Sequence, residues 1–360
     1  MRVHVLIYLL LMLTTMLSCS DGSTPDPSET DDMRKITVTT STRAATDTYS
    51  FNTGEEIWLW ADKVSGGGEY IKAWHLTAQS PATNFTGTAK YWPGDGSQLN
   101  VKALHGNFGE SLTDGSMSWS SITSITHTVE TDQSTDANRR KSDLLYASAT
   151  GCAYPETIVL TFDHLLAKVT VKIDLDNCDG FSAYDLSTAE VQINDVYTSA
   201  TIDANGSASK STTTTTSITM AKYSSMPTET GIIEAGSAII PIQSLGGRKL
   251  LSIVSNVTNN PRTFSFTPSD AFTPQKGLEY IFTLSVKNGK LSVSSIDVTA
   301  FTDNSQDISL KEYIEPGFDV KAFIESDEST TIPDFVEPGL GVNGYQGQNT
   351  DVTLTDYVQQ

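Results

Sequence analysis

The chain has 360 residues, a formal net charge of −20 and an isoelectric point near 4.5. This acidic balance excludes nucleic acid as a partner, because neutralising phosphates requires a basic surface. The length suggests two domains of ordinary size. The charge is uneven, since residues 301–360, with twelve acids and two lysines, hold half of it.

The N-terminus has the pattern of a lipoprotein export signal. Arg2 precedes an apolar run over residues 5–13, and Leu17-Ser18-Cys19 follows. A positive start, a short apolar region and a small residue before the break predict a secretory signal over residues 1–18, not a membrane span. Cys19 matches the bacterial lipobox, so we expect its thiol to be acylated. The alternative is a signal peptide with a chance cysteine.

Residues 19–43 are predicted to form a tether followed by a short strand. Residues 20–32 contain Pro25, Pro27 and five acids but no apolar side chain, which is typical of a solvated segment. Residues 36–42 then alternate as a strand does, with Ile36 and Val38 on one face, and the pattern ends at Arg43-Ala44. From these residues alone, this segment is either an ordinary first strand or a removable one.

The rest of the chain predicts an all-β fold. Short runs rich in Val, Ile, Thr, Phe and Tyr recur between Gly, Asn, Asp and Pro, and Asn288-Gly289 predicts a hairpin turn. Many short strands at such spacing favour β-sandwiches. The predicted strands cover residues 57–61, 99–104, 158–162, 169–175, 239–242, 250–254, 264–266, 280–286 and 291–293.

The tryptophans indicate a domain boundary. All five lie in the first third of the chain, so two cores of different composition are expected to meet near residue 155. We predict domains over residues 44–155 and 156–301, and an acidic tail over residues 302–360. Trp58 and Trp60 share a strand face and are expected in the core. For Trp92 and Trp119, which lie near Gly and Ser, burial and exposure both stay open.

The order of several motifs resembles the fimbrillin family, subunits of bacterial type V pili, over roughly residues 15–301. After the lipobox and Thr42-Arg43-Ala44, the motifs are FNTGEEIWLW (51–60), YWP (91–93), VKALH (101–105), DLLYA (143–147), FDHLLAKVTV (162–171), GLEY (277–280) and LSVSSI (291–296).

This resemblance implies two transthyretin-like β-sandwich domains in tandem, and a subunit exported to the outer membrane and cell surface. It implies a precursor carrying diacylglycerol and palmitate at Cys19. An arginine- or lysine-specific protease would remove the lipidated segment with its first strand, at Arg43-Ala44 in this chain. The vacated groove would accept a C-terminal strand from another pilin subunit. Ile36 and Val38 have the alternation needed to fill that groove beforehand.

The tail departs from the family pattern. About 59 residues follow Phe301, where the family commonly has Trp. The tail is expected to carry the donor strand, with Val352 and Leu354 as its alternate apolar side chains, or to mark an anchor, tip or accessory subunit. Residues 291–301 are the competing donor segment.

The sequence contains no catalytic constellation. Its five histidines form neither HxH nor HExxH, and Ser207-Ala208-Ser209-Lys210 has no KTG partner. Residues 174–180 lack the ligand pattern of a calcium loop and predict an ordinary turn. His164 is expected to be structural, at a domain junction. We expect no enzyme activity, cofactor or metal.

Two function classes remain. The first is a structural and adhesive pilus subunit. The second is a monomeric surface lipoprotein that binds glycans through exposed aromatic side chains. Whether Cys152 and Cys178 form a disulfide is also open.

Overall fold

The computed structural model describes residues 34–40, 50–211, 214–221, 231–255, 261–268 and 271–301. The predictions on Cys19, Arg43, Ala44, Val352 and Leu354, and on the acidic tail, lie outside these residues.

The described chain is mostly β-structure arranged in several sheets, which confirms the prediction of a β fold. It has two short α-helices, α1 (Asp136–Lys141) and α2 (Ala183–Thr188), and 3₁₀ helices at Gly109–Ser111, Trp119–Ser124 and Leu175–Asn177. No helix in these segments is long and apolar enough to cross a membrane. The strands are β1 (Val38–Thr40), β2 (Glu56–Lys63), β3 (Glu69–Gln79), β4 (Asn84–Thr86), β5 (Leu99–His105), β6 (Thr126–Thr128), β7 (Leu145–Cys152), β8 (Ile158–Leu160), β9 (Asp163–His164), β10 (Ala167–Asp174), β11 (Glu190–Val196), β12 (Ser199–Ile202), β13 (Ala208–Lys210), β14 (Thr216–Thr219), β15 (Ile232–Ile240), β16 (Leu251–Ser255), β17 (Arg262–Phe266), β18 (Leu278–Lys287) and β19 (Lys290–Ala300).

The first half of the chain forms one eight-stranded sheet with the order β8-β1-β4-β3-β2-β5-β7-β9. Its apolar residues alternate along each strand, as Ile57 and Leu59 do on β2, so that one face buries a core. That core includes Ile36, Val38, Trp74, Phe85, Trp92 and Ile158.

The second half contains two four-stranded sheets, β15-β10-β18-β19 and β14-β11-β16-β17. Their apolar side chains belong to one core cluster. The predicted hairpin between β18 and β19 is confirmed. Asn288 and Gly289 have φ angles of 49° and 75°, the left-handed pair that a tight hairpin turn requires.

The two halves share backbone and side-chain contacts. β6 from the first half pairs with β12 from the second in a three-stranded sheet with β13. The fully buried Gln133 amide exchanges hydrogen bonds with the backbone of Ile239, donating at 2.9 Å and accepting at 2.8 Å. The Trp119 indole donates to the carbonyl of Ala204 at 2.9 Å. Segments before residue 155 are thus built into the second half, while the predicted boundary itself stays a prediction.

His127 on β6 is buried at this junction with both ring nitrogens engaged. Nδ1 accepts from the backbone N–H of Asn107 at 3.0 Å, and Nε2 donates to the carbonyl of Ser142 at 2.9 Å. A Cβ at Gly106 would lie 2.8 Å from Nδ1, so only glycine fits there. Burial lowers the pKa of His127 to about 4. The hydrogen bond at Nδ1 acts in the same direction, because a proton there would face the Asn107 N–H.

Acidification to pH 5 should therefore destabilise the fold. The unfolded chain, with a His pKa of 6.5, binds a proton that folded His127 binds only near pH 4. This contribution to stability is complete above pH 6.5 and is lost as the pH falls toward 4. Between pH 7 and pH 5 the loss is about 2 kcal/mol, measurable by denaturant titration. His127→Gln should remove it. The surface variant His75→Gln should retain it, and equal losses in His127→Gln and the wild type would contradict the assignment.

Candidate functional site

The candidate site is built around the position of the first strand. β1 lies inside the eight-stranded sheet, antiparallel to β4 on one side and parallel to β8 on the other. Val38 stands opposite both Phe85 on β4 and Ile158 on β8. A segment from the start of the chain therefore separates, and hydrogen-bonds to, two strands that follow it by many residues.

Backbone pairing extends over the whole of residues 34–40. Toward the β4 side, Trp92 N–H donates to the Arg34 carbonyl at 2.9 Å, Ile36 N–H to Lys90 at 2.8 Å, and Thr40 N–H to Thr83 at 2.9 Å. Toward β8, Ile158 N–H donates to the Thr37 carbonyl at 2.9 Å, and the Thr37 and Thr157 hydroxyls lie 2.9 Å apart. We call the space that residues 34–40 occupy the strand slot.

The side chains alternate across the strand slot. Ile36 and Val38, the two residues predicted to fill a groove, are each 3% exposed, whereas Lys35 and Thr37 face outward and are exposed. The inward pair packs in the core with Phe85, Trp92, Ile158 and Leu160. Burying two such aliphatic side chains contributes about 3–6 kcal/mol of transfer free energy.

The Arg34 end of the strand slot carries aromatic and cationic side chains. The Arg34 guanidinium donates to the carbonyl of Pro93 and lies 5.9 Å from the ring centroid of the half-exposed Tyr154. The Tyr70 hydroxyl donates to the Tyr91 carbonyl at 2.8 Å. These contacts fix where residues 34–40 enter the sheet.

The sequence pattern predicts this strand but not β4, one of the two strands beside it. β4 has three residues, too few for a periodic pattern, and its signal is the single apolar Phe85 between Asn84 and Thr86. The sequence gives no signal for the role of Arg34 either, because its partners, the Pro93 carbonyl and the Tyr154 ring, are distant in sequence.

The structure decides the open question about the tryptophans. Trp92 and Trp119 are buried, with 4% and 5% exposure, and so are Trp60 and Trp74. Trp58 is half-buried and stacks on His75, with ring centroids 4.6 Å apart. The tryptophans therefore form core and packing contacts and do not present a flat surface to a sugar.

Cys152 and Cys178 are separate thiols. Burial raises the pKa of both. Cys178 Sγ lies 3.2 Å from both the Asp174 carbonyl and the Val286 N–H, so its contacts are those of a packed turn. In that turn Asp174 accepts from the Asn177 amide at 2.7 Å. No group of three or more metal-ligating side chains occurs among the described residues.

His164 lies at the junction of the two halves, where the sequence predicts a structural role. Its Nδ1 is 2.8 Å from Asp143 Oδ2, and both side chains are buried. Burial raises the pKa of Asp143, but the charge and hydrogen bond of His164, with His105 and His127 nearby, lower it more, and the net direction is down. The His164 ring stacks on Phe301 with 3.8 Å between centroids.

Several solved structures are similar to this chain, two of them with TM-scores above 0.5. A candidate cell-adhesion protein from Bacteroides uniformis ATCC 8492 has a TM-score of 0.53 at 20% identity, covering 75% of this chain and 99% of its own. A second, from Bacteroides ovatus ATCC 8483, has a TM-score of 0.53 at 12% identity, covering 76% and 99%. The C-terminally truncated tip fimbrial protein Mfa3 from Porphyromonas gingivalis has a TM-score of 0.43 at 8% identity, covering 74% and 99%.

A search of curated proteins returned no match. The family model described as fimbrillin-like matches residues 42–300. Because this match spans most of the sequence, the chain belongs to the fimbrillin-like family, a family of structural, non-enzymatic fimbrial and adhesion proteins of the cell surface.

Proposed function

We propose that this chain is a structural and adhesive subunit of a type V pilus that polymerises by strand exchange. It is exported as a lipoprotein on Cys19, a protease cuts it after Arg43, and a strand from a neighbouring subunit then replaces residues 34–40. The observation that carries this proposal is the strand slot, in which a segment near the N-terminus is paired on both edges and buries Ile36 and Val38.

Loss of residues 34–40 would leave a strong acceptor for another strand. The facing edges of β4 and β8 would expose unpaired N–H and C=O groups, which are costly to leave unsatisfied. The pockets of Ile36 and Val38 would open the core to water. A strand with alternate apolar side chains restores both the hydrogen bonds and the apolar contacts.

Arg43 is well placed in the sequence for such a cut. It follows Thr40, the last residue of β1, by three positions and precedes Ser50, where the described chain resumes. Cleavage after Arg43 detaches the whole strand, whereas cleavage after Arg34 would leave it in place. An arginine-specific protease, other pilin subunits and the outer-membrane lipid anchor are thus the proposed partners.

The contacts of β19 support the acidic tail as the source of the donor strand. β19 pairs with β18 from Leu278–Ala300 to Lys287–Lys290, and Phe301 after it is fully buried. Withdrawing residues 291–301 would break this ladder and open the core. Val352 and Leu354 lie in the tail and offer alternate apolar side chains like those of Ile36 and Val38.

Arg43→Ala should block assembly. The precursor would keep residues 34–40 in the strand slot and accumulate as a lipidated monomer on the cell. N-terminal sequencing of sheared surface material should give Ala44 for the wild type. Lys35→Ala, a control at an exposed position of the same segment, should be processed normally. Fibres of normal length from Arg43→Ala would contradict cleavage-driven assembly.

Ile36→Ala should destabilise the precursor but not the fibre. Deleting most of a buried isoleucine side chain costs about 2–5 kcal/mol, and the cost disappears once residue 36 has been removed. Denaturant unfolding measures the stability of the uncleaved precursor. Thermal melting measures the stability of the purified fibres. Thr37→Ala, on the exposed face, should affect neither strongly. A fibre destabilised as much as the precursor would mean that the segment stays in the polymer.

Truncation after Pro338 should leave the described sheets folded but abolish polymerisation, because it removes Val352 and Leu354. Circular dichroism tests the fold, and electron microscopy of processed protein tests assembly. The double variant Val352→Asp/Leu354→Asp keeps the full length of the tail but removes the apolar side chains of the proposed donor strand. It therefore distinguishes the loss of this strand from the shortening of the tail. Normal fibres from both variants would place the donor upstream or give the tail another role.

A further inference from the structure

The strand slot and the root of the C-terminal tail are joined by one short run of chain. β8, one wall of the strand slot, is followed after Thr161 and Phe162 by β9, which contains His164. His164 stacks on Phe301, the last residue before the tail. Three residues, 161–163, therefore separate the end of β8 from His164, whose stack on Phe301 holds the base of the tail.

β8 depends on β1 for its place in the sheet. Among the described strands it is the edge strand of the eight, and its ladder partner is β1. The parallel register runs from Val38–Ile158 to Thr40–Leu160, and Val159 between them is already half exposed. When residues 34–40 leave, β8 loses the ladder that pairs it within the sheet, while Ile158 and Leu160 remain packed in the core.

An aromatic chain strengthens this connection. Phe85 on β4 is the ladder neighbour of Val38. Its ring contacts that of Phe51 edge-on, with 5.1 Å between the centroids. Phe51 in turn contacts Phe162 at 5.2 Å. Phe162, in the linker between β8 and β9, is therefore connected to β4 through Phe51 and to β8 through the chain itself.

The far end of the connection is a closed cluster around Phe301. One side of the ring stacks on His164, which Asp143 holds at 2.8 Å. Lys168 Nζ lies 5.8 Å from the ring centroid and pairs with Glu279 at 3.1 Å. The Phe301 N–H donates to the Gly277 carbonyl at 2.8 Å. We call Phe301 and these partners the tail clamp.

We propose that occupancy of the strand slot is coupled to the tail clamp through residues 158–164. With the strand slot filled, β8 and β9 are fixed, and His164 holds Phe301. With the strand slot empty, this run loosens, the stack weakens and the base of the tail is released. In the proposed function, donation of a strand by the tail would then follow the loss of the subunit's own first strand. This inference rests on the proposed removal of residues 34–40.

Hydrogen exchange on the chain from residue 20 to 360 tests the coupling. The variant Ile36→Asp/Val38→Asp expels the strand from the strand slot by placing two charges in the core. We expect amides of residues 158–164 and 299–301 to exchange at least tenfold faster, while residues 251–255 and 262–266 keep their rates. Thr37→Asp/Thr39→Asp adds the same charges on the outward face and should change little. Excess peptide of residues 34–40 should restore protection at both places. Faster exchange at residues 158–160 without any change at residues 299–301 would overturn the coupling.

The reverse experiment changes the tail clamp and keeps the strand slot filled. It therefore tests the coupling even if the first variant unfolds. Coupling between two sites is reciprocal. Phe301→Leu retains an apolar side chain but removes the ring stack, and it should speed exchange of the Ile36 amide several-fold. Phe266→Leu, a buried change elsewhere in the second half, should not. An unchanged Ile36 amide in Phe301→Leu would overturn the proposal. Neither experiment requires cleavage or polymerisation, so failure of the proposed function and failure of the coupling give different results.

Discussion

A strand in the interior of a sheet must satisfy hydrogen bonds on both of its edges, and residues 34–40 do this for two strands at once. β4 and β8 have only three residues each, so each forms only a short hydrogen-bonded ladder with its neighbours. The integrity of this side of the first sheet therefore depends on a segment that is short, lies near the N-terminus and is continuous with the body only through residues 41–49. In the proposed strand exchange, a strand from another subunit would have to satisfy the same two edges.

The second half is built differently. β10 and β18, its central parallel pair, are flanked on both sides, and every residue of β18 except its two ends is buried. Segments from the first half, notably β6 and Gln133, are fixed into it by hydrogen bonds. The molecule thus combines a half whose central strands are paired on both sides with a half in which β1, from near the start of the chain, fills a place between β4 and β8. The buried His164–Asp143 pair lies where the two halves meet.

Much of this fold could be predicted from the sequence because strands with strict alternation of apolar residues are long enough to show their period. β5 and β10 belong to this class, while β2 and β18 stand out as longer runs rich in apolar and aromatic residues. The sequence also predicts the inward direction of Ile36 and Val38. It could not predict β4, because three residues are too few to show an alternating pattern. It also could not predict the pairing of β6 with β12, since pairing between distant segments leaves no local pattern. Pro241 ends β15 at Ile240, earlier than the apolar run suggests, because proline cannot continue the ladder. Trp92 and Trp119 have polar neighbours in sequence but apolar neighbours in space, so their burial was not visible in advance.

β19 has a consequence for the geometry of any assembly. It is the edge of its sheet, its pairing with β18 is interrupted by an irregularity between Thr283 and Leu284, and it exposes Lys290 and Asp297. Irregular, charged edges oppose the annealing of one sheet onto another. Side-by-side stacking is therefore disfavoured at this edge even when many copies lie close together. For subunits joined by the proposed strand exchange, β19 would therefore add no lateral pairing between neighbouring copies.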